Sequence, residues 1–172
     1  MNSNIAMILG RRSIRAYAVG DVSNETIKTI LQAAMSAPSA VGKDPWRFVV
    51  LRDQAVRDRI VQKLPHGKML AEASVGIIVC GDIAATHDKQ LSYLLQDCSA
   101  AIENMLLAIH GLGLGACWLG VHPRRNRMDG IRSLFNLPDH IIPVAGIALG
   151  WPDGTPEART RYRDECVHKS AW

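Results

Sequence analysis

The sequence predicts one folded domain in which helices alternate with β-strands, and three features carry that expectation. The length, 172 residues, is about one domain on the usual scale of roughly 100 to 200 residues. The run Val75 to Cys80 (VGIIVC) is continuously apolar, the pattern of a strand buried on both faces. From Leu91 to Ile109, apolar Leu94, Leu95, Cys98, Ile102, Met105 and Leu106 keep helical period, which marks a long scaffold helix. A composition of 48% hydrophobic and 21% charged residues suits a folded globular chain and not a disordered one.

The elements follow in order. Ile5, Ile8 and Leu9 form a short apolar stripe after Ser3-Asn4, which can cap free N–H groups, and Gly10 suits the helix end. Ser23 predicts the N-cap of a second helix with Ile27, Ile30, Leu31, Ala34 and Met35 on one face, closing at Ser36-Ala-Pro38. Trp46 to Leu51 reads as a strand, and Asp53 then caps a helix carrying Val56, Ile60, Val61 and Leu64. After the apolar strand and the long helix, Gly111-Leu-Gly-Leu-Gly115 leads into a strand at Ala116 to Gly120. A short helix with Ile131, Leu134 and Phe135 precedes a last strand from Ile141 to Leu149. Residues 155–172 form an arginine-rich arm ending in Trp172, a large indole that needs a surface to pack on, and a partner subunit is expected to supply it.

Several function classes drop out. No apolar run approaches the ~20 residues that cross a bilayer, and the opening Met1-Asn-Ser-Asn-Ile lacks the basic and apolar regions of a signal peptide, so the reading is cytoplasmic, with no membrane partner. Cys80, Cys98, Cys117 and Cys166 form no C-x-x-C pair and read as reduced packing residues. The six histidines are scattered, and no protein-built metal site is expected. Net charge is +4, and 14 of the 20 basic residues are arginine, whose planar fork binds phosphate bidentately, so an anionic ligand is expected.

Arg11-Arg-Ser-Ile-Arg15 can present several donors to one phosphate; in extended backbone Arg11, Ser13 and Arg15 share a face. A solvated basic turn is the competing reading. Arg159-Thr-Arg161-Tyr-Arg163 forms a second cluster that could converge on the same anion. Pro38-Ser-Ala-Val-Gly-Lys-Asp-Pro45 lacks the first glycine and the Ser/Thr of a P-loop, which excludes that kind of nucleotide hydrolysis. Gly111, Gly113 and Gly115 follow a helix and precede a strand, the reverse of a dinucleotide fingerprint. No nucleophile motif is present, and a chain without nucleophile, metal or acid–base pair points to a bound organic cofactor.

Arg11 to Arg15, the stretch Pro38 to Val50, the glycine-rich Gly111 to Gly120, and Arg159 with Arg161 together resemble the FMN-dependent nitroreductase family in order and spacing. The resemblance spans essentially the whole chain. It implies an α+β fold with a central mixed β-sheet flanked by helices, and an intertwined homodimer with FMN at the interface. Residues 1–154 would form the FMN-binding domain, and residues 155–172 the exchanged arm that embraces the partner.

On that resemblance, Arg11, Ser13 and Arg15 correspond to the FMN-binding R-x-S-x-R, with Arg12 contributing mainly backbone, and Arg159 and Arg161 to the late basic pair. Arg11 and that pair would hold the phosphate and ribityl chain, and Arg15 the pyrimidine end. Pro38, Ser39 and Ala40 would lie against the flavin of the neighbouring subunit. Lys68 is a second candidate for the pyrimidine carbonyls or a plain surface lysine. Trp118, Leu119 and Gly120 would cover the far face, with the Gly120 N–H donating to N5; for Trp118 a core role stands beside this. Gly42-Lys-Asp-Pro-Trp46 departs from the Asn-Ser-Gln-Pro-Trp common in the family, which bears on the choice of acceptor. Few residues separate Cys80 from Leu91, where larger members carry inserted helices, so an open cleft is expected.

The implied function is an FMN oxidoreductase taking electrons from NADH or NADPH in a ping-pong cycle and passing them to nitroaromatics, quinones or similar flat small-molecule acceptors. Dehalogenation, flavin breakdown or azoline oxidation on the same fold are alternatives. A nucleic-acid-binding module using residues 11–15 and 124–132 is a rival from another class, disfavoured by an aromatic content of 5%, which leaves few stacking platforms.

Overall fold

The computed structural model describes residues 2–154, 156–158 and 160–172. Six helices and five strands alternate along it as α1 (Ser3–Gly10), β1 (Tyr17–Ala18), α2 (Asn24–Met35), β2 (Trp46–Leu51), α3 (Gln54–Val61), α4 (Met69–Glu72), β3 (Val75–Asp82), α5 (Leu91–Gly111), β4 (Gly115–Gly120), α6 (Arg125–Phe135) and β5 (Ile141–Pro152). Short 3-10 turns lie at Ala40–Gly42, His87–Lys89 and Asp164–Cys166.

Strand β5 pairs with β3 and with β4, β3 pairs on with β2, and β1 adds two residues beside the end of β5. These pairings are antiparallel, and among the described residues the parallel component of the sheet is a single bridge between Ser13 and Ala116. Helices flank both faces, giving the α+β architecture expected.

Alternation along the central strands explains the three layers. Ile77, Val79, Ile147 and Leu149 pack with α2 and α5 through Ile27, Ile30, Ile102 and Met105. Ile78, Cys80 and Ala148 face the other way, against Ile60, Leu70 and Ile131 of α3, α4 and α6. A strand buried on both faces must therefore be apolar at every position, which is why β3 reads as an uninterrupted run.

Two details place the end of β4. Pro143 sits in β5 where it would break a regular ladder, and the register with β3 slips there: Val79 pairs with Ala145 but Cys80 with Pro143. The skipped Val144 carbonyl accepts from the N–H groups of Val121, at 3.4 Å, and His122, at 3.0 Å, so the chain leaves the sheet just after Gly120.

Ser23 and Asp53 cap α2 and α3 as expected, their oxygens accepting from Thr26 N at 3.0 Å and Ala55 N at 2.8 Å. The cap of α1 is Asn2, one residue earlier than Ser3-Asn4, and β5 runs on to Pro152. Cys166 is exposed, which corrects its reading as a packing residue; Cys80, Cys98 and Cys117 are buried. Trp172 is fully exposed and stacks on His168 with centroids 4.2 Å apart. No helix among the described residues is long and apolar enough to cross a membrane.

Burial pushes the Cys80 and Cys98 thiols up to about 12 from an ordinary 9.0, with Asp97 adding to the shift at Cys98. The neutral thiols thus contribute stability in full below about pH 9, and this is lost as the pH rises toward about 12, because the unfolded chain ionises first. Urea titrations above pH 9 should show stability falling by up to about 1.4 kcal/mol per pH unit per thiol. The double variant Cys80→Ala, Cys98→Ala should decline less steeply over the same range, and an identical decline would refute this assignment.

Candidate functional site

Helix α1 delivers the chain to Arg11 in extended backbone, and the next residues run beside β4. The Ile14 N–H donates to the Ala116 carbonyl at 2.9 Å. Ile14 also lies directly on Gly115: a Cβ there would stand 2.7 Å from Ile14 Cγ1. Tyr17, missed in the sequence, braces the segment from behind, its hydroxyl within bonding distance of the Ile14 carbonyl at 2.9 Å and the Ala148 carbonyl at 3.0 Å. Burial raises the Tyr17 pKa, keeping the phenol protonated as a donor.

Pinned in this way, Arg11, Arg12, Ser13 and Arg15 line one cleft of ≈ 930 Å³, whose other wall carries Arg161 and Tyr162 from the arm. The two ends of the chain therefore converge as expected; Arg159 lies outside the described residues. Arg11 Nε pairs with Glu103 on α5 at 3.3 Å. Arg12 contributes more than backbone: its guanidinium donates to the carbonyls of Leu9 at 2.9 Å, Arg11 at 2.5 Å and Glu157 at 3.0 Å, tying the arm to the motif.

Arg15 also lines a second cleft of ≈ 220 Å³, with Gly67, Trp118, Leu119, Gly120 and Arg127. Trp118 is 37% exposed, so it is a surface of this cleft and not core, while its neighbours Cys117 and Leu119 are buried. The Gly120 carbonyl accepts from Arg127 Nη1 at 2.7 Å. Lys68 sits exposed beside Gly67 at the start of α4 and lines neither cleft.

Pro38, Ser39 and Ala40 line neither cleft in this chain. Their loop is held from within. Ser39 Oγ accepts from the Asp44 N–H at 3.0 Å and donates to the Asp44 carboxylate at 2.5 Å, and the Ala40 N–H donates to Asp97 Oδ1 at 2.9 Å. Val41, Gly42 and Asp44 take left-handed backbone, a tight path for a loop with only one glycine among them. Asp97 is a buried anchor missed in the sequence, yet signalled there as a carboxylate on the apolar stripe of α5.

No group of three or more His, Cys, Asp or Glu side chains suited to a metal ion occurs among the described residues. The buried thiols are pushed up by desolvation and are poor nucleophiles at neutral pH. The arrangement is thus a basic groove joined at Arg15 to a slot with an exposed indole and a glycine backbone. Such a groove suits a ligand with a phosphate at one end and a flat ring at the other.

The "Nitroreductase family" profile matches residues 8–65 and 61–151. A Methanothermobacter thermautotrophicus protein named "Putative NADH dehydrogenase/NAD(P)H nitroreductase" is 44% identical over 94% of this chain and 84% of its own length. A solved structure of the same name from Bacteroides thetaiotaomicron superposes with a TM-score of 0.94 at 38% identity, covering 100% of this chain and 99% of that one. A Desulfovibrio desulfuricans chain solved in complex with FMN superposes with a TM-score of 0.87 at 32% identity, covering 100% and 99%.

Close approach at Gly115 makes one position decisive. Gly115→Ala should displace Ile14 and lower stability by about 1–3 kcal/mol in urea unfolding. A variant as stable as the parent would show that the segment is not pinned there.

Proposed function

The chain belongs to the nitroreductase family, and we propose that it is an NAD(P)H-dependent FMN oxidoreductase with the flavin lying along the joined clefts. The convergence of Arg11, Arg15 and Arg161 on one groove that opens at Arg15 onto Trp118–Gly120 carries this reading. The residues fit the group: the guanidinium groups match a phosphate dianion, and the exposed indole and glycine backbone match a flat ring.

Arg11 and Arg161, with Arg159, hold the phosphate and ribityl chain; Ser13 adds a hydroxyl, and Arg12 fixes the arm that brings Arg161 in. Arg15, which lines both clefts, would meet the pyrimidine end, where a cation offsets the negative charge that reduction adds. Lys68, exposed next to Gly67, would be a second group for the same carbonyls. Gly120 would offer its N–H to N5, and Trp118 and Leu119, which line the slot, would limit water there. FMN held there would supply the redox chemistry, a two-electron exchange at N5 between NAD(P)H and a nitroaromatic, quinone or similar acceptor in a ping-pong cycle. The buried, protonated thiols stay outside the reaction.

A second copy of the chain completes the site. Pro38, Ser39 and Ala40 line neither of their own chain's clefts, and the arm over residues 156–158 and 160–172 is exposed to its final Trp172. Both features are met if residues 155–172 wrap a partner whose Pro38–Ala40 loop covers this chain's flavin. The chain is read as acting in the cytoplasm.

Purified protein should be yellow, should bleach under NADH or NADPH without oxygen, and should recover colour with a nitroaromatic or quinone. Arg11→Ala combined with Arg161→Ala should weaken FMN retention about 100-fold or more, from the loss of two charge-assisted contacts. Full FMN occupancy in that variant would refute the phosphate assignment.

A further inference from the structure

We propose that Arg127, fixed against the Gly120 carbonyl, is a second cation of the slot and makes the protein hold reduced FMN more tightly than oxidised FMN. The inference rests on the functional reading above and deepens it, because it assigns a role to a side chain that no motif picked out.

Trp118 and Gly120 are the exposed positions at the end of β4, and alternation along the strand puts them on one face, whereas Cys117 and Leu119 are buried. A Cβ built on Gly120 would point away from the strand and meet, beyond its chain neighbours, a single atom within reach: Nη1 of Arg127, at 4.0 Å. The guanidinium therefore stands on the same side of the strand as the exposed indole. Arg127 also lines the slot together with Arg15, from which it is separated by more than a hundred residues of sequence.

The charge is held in place. Nη1 donates to the Gly120 carbonyl at 2.7 Å and the side chain is half-buried, so a group that samples many positions at an open surface is kept to one here. The other arginines of α6 are used differently. Arg124 and Arg125 are exposed and line neither cleft, and Arg132 donates to the Leu137 and Pro138 carbonyls. The remaining nitrogens of Arg127 make no hydrogen bond or ion pair among the described residues, so no carboxylate cancels its charge locally.

Reduction is where that charge matters. A hydride carries two electrons and one proton, so its transfer from NAD(P)H to N5 leaves the flavin ring one unit more negative and the donor as NAD(P)+. No Asp or Glu lines the slot to oppose a cation there. A fixed positive group lowers the free energy of the charged ring relative to the neutral one, and a half-buried site screens it less than open water does. The consequence is a change in the ratio of two affinities and not in FMN binding as such.

The test is the midpoint potential of bound FMN, from anaerobic dye-coupled titration, measured beside the affinity for oxidised FMN. Arg127→Gln and Arg127→Met remove the charge, Arg127→Lys keeps it, and Arg125→Gln removes a charge from the same turn outside the clefts. Both uncharged variants should lose about tenfold or more in affinity for reduced relative to oxidised FMN, which for a two-electron couple lowers the potential by about 30 mV. Arg127→Lys and Arg125→Gln should keep that ratio within about threefold of the parent, the first by retaining the charge and the second because an exposed charge is screened. A merely structural Arg127 would weaken both forms alike and leave the potential unmoved, which would overturn the inference. A drop in Arg127→Lys or Arg125→Gln as large as that in Arg127→Gln would overturn it too. Yellow variants with the parental potential sink this inference alone, whereas a parent that binds no FMN sinks the functional reading with it.

Discussion

One backbone contact governs the candidate site: the extended Arg11–Arg15 segment lying on β4, held by the Ile14 N–H on the Ala116 carbonyl and by the absence of a side chain at Gly115. From it follow the gathering of Arg11, Arg12, Ser13 and Arg15 on one cleft and the meeting of Arg15 with the Trp118–Gly120 strand end. A helical or looser path would scatter these donors around the segment. Tyr17 secures the same contact from behind, and burial keeps its phenol protonated for the task.

Concentrating guanidinium groups at one cleft has an electrostatic cost, because like charges at close range destabilise the compact chain unless an anion or solvent intervenes. The chain meets this cost only lightly. Glu103 holds Arg11 through a half-exposed pair at 3.3 Å, and exposed pairs contribute roughly 0–1 kcal/mol. Arg12 is committed to backbone carbonyls, while Arg15 keeps one weak contact, to the Ser13 carbonyl at 3.4 Å. A phosphate therefore displaces little that is strong, and the groove is prepared for an anion more than for a folded interior.

Much of this was legible in the sequence because its causes are local or periodic. The caps at Ser23 and Asp53 and the doubly buried β3 are set by neighbouring residues or by alternation. The convergence of the two arginine clusters, by contrast, could be raised from their composition but not from periodicity, and only the family resemblance gave each cluster a role. What escaped the sequence reading depends on contacts between distant segments. Tyr17 reaches Ala148 across 131 residues, and Asp97 anchors Ala40 across 57. The two-residue β1 is defined by the end of β5 and has no pattern of its own. Arg132 falls within residues 124–132, the stretch a nucleic-acid module would use, yet helical geometry turns it onto the carbonyls that follow α6.

The irregular end of the sheet gives the slot its shape. Pro143 cannot donate a ladder hydrogen bond, so β5 bulges there and leaves the Val144 carbonyl to take both Val121 and His122. That double acceptance turns the chain out of β4 immediately after Gly120 and sets the start of α6 beside the slot. Arg127 then returns to the Gly120 carbonyl, closing a short loop of contacts from the bulge to the glycine. Replacing Pro143 with a residue that could pair regularly would favour continuing the ladder, and the position of Gly120 relative to Arg15 would change with it. The backbone amide proposed to meet the flavin thus depends on one position of β5 that is skipped in its register with β3.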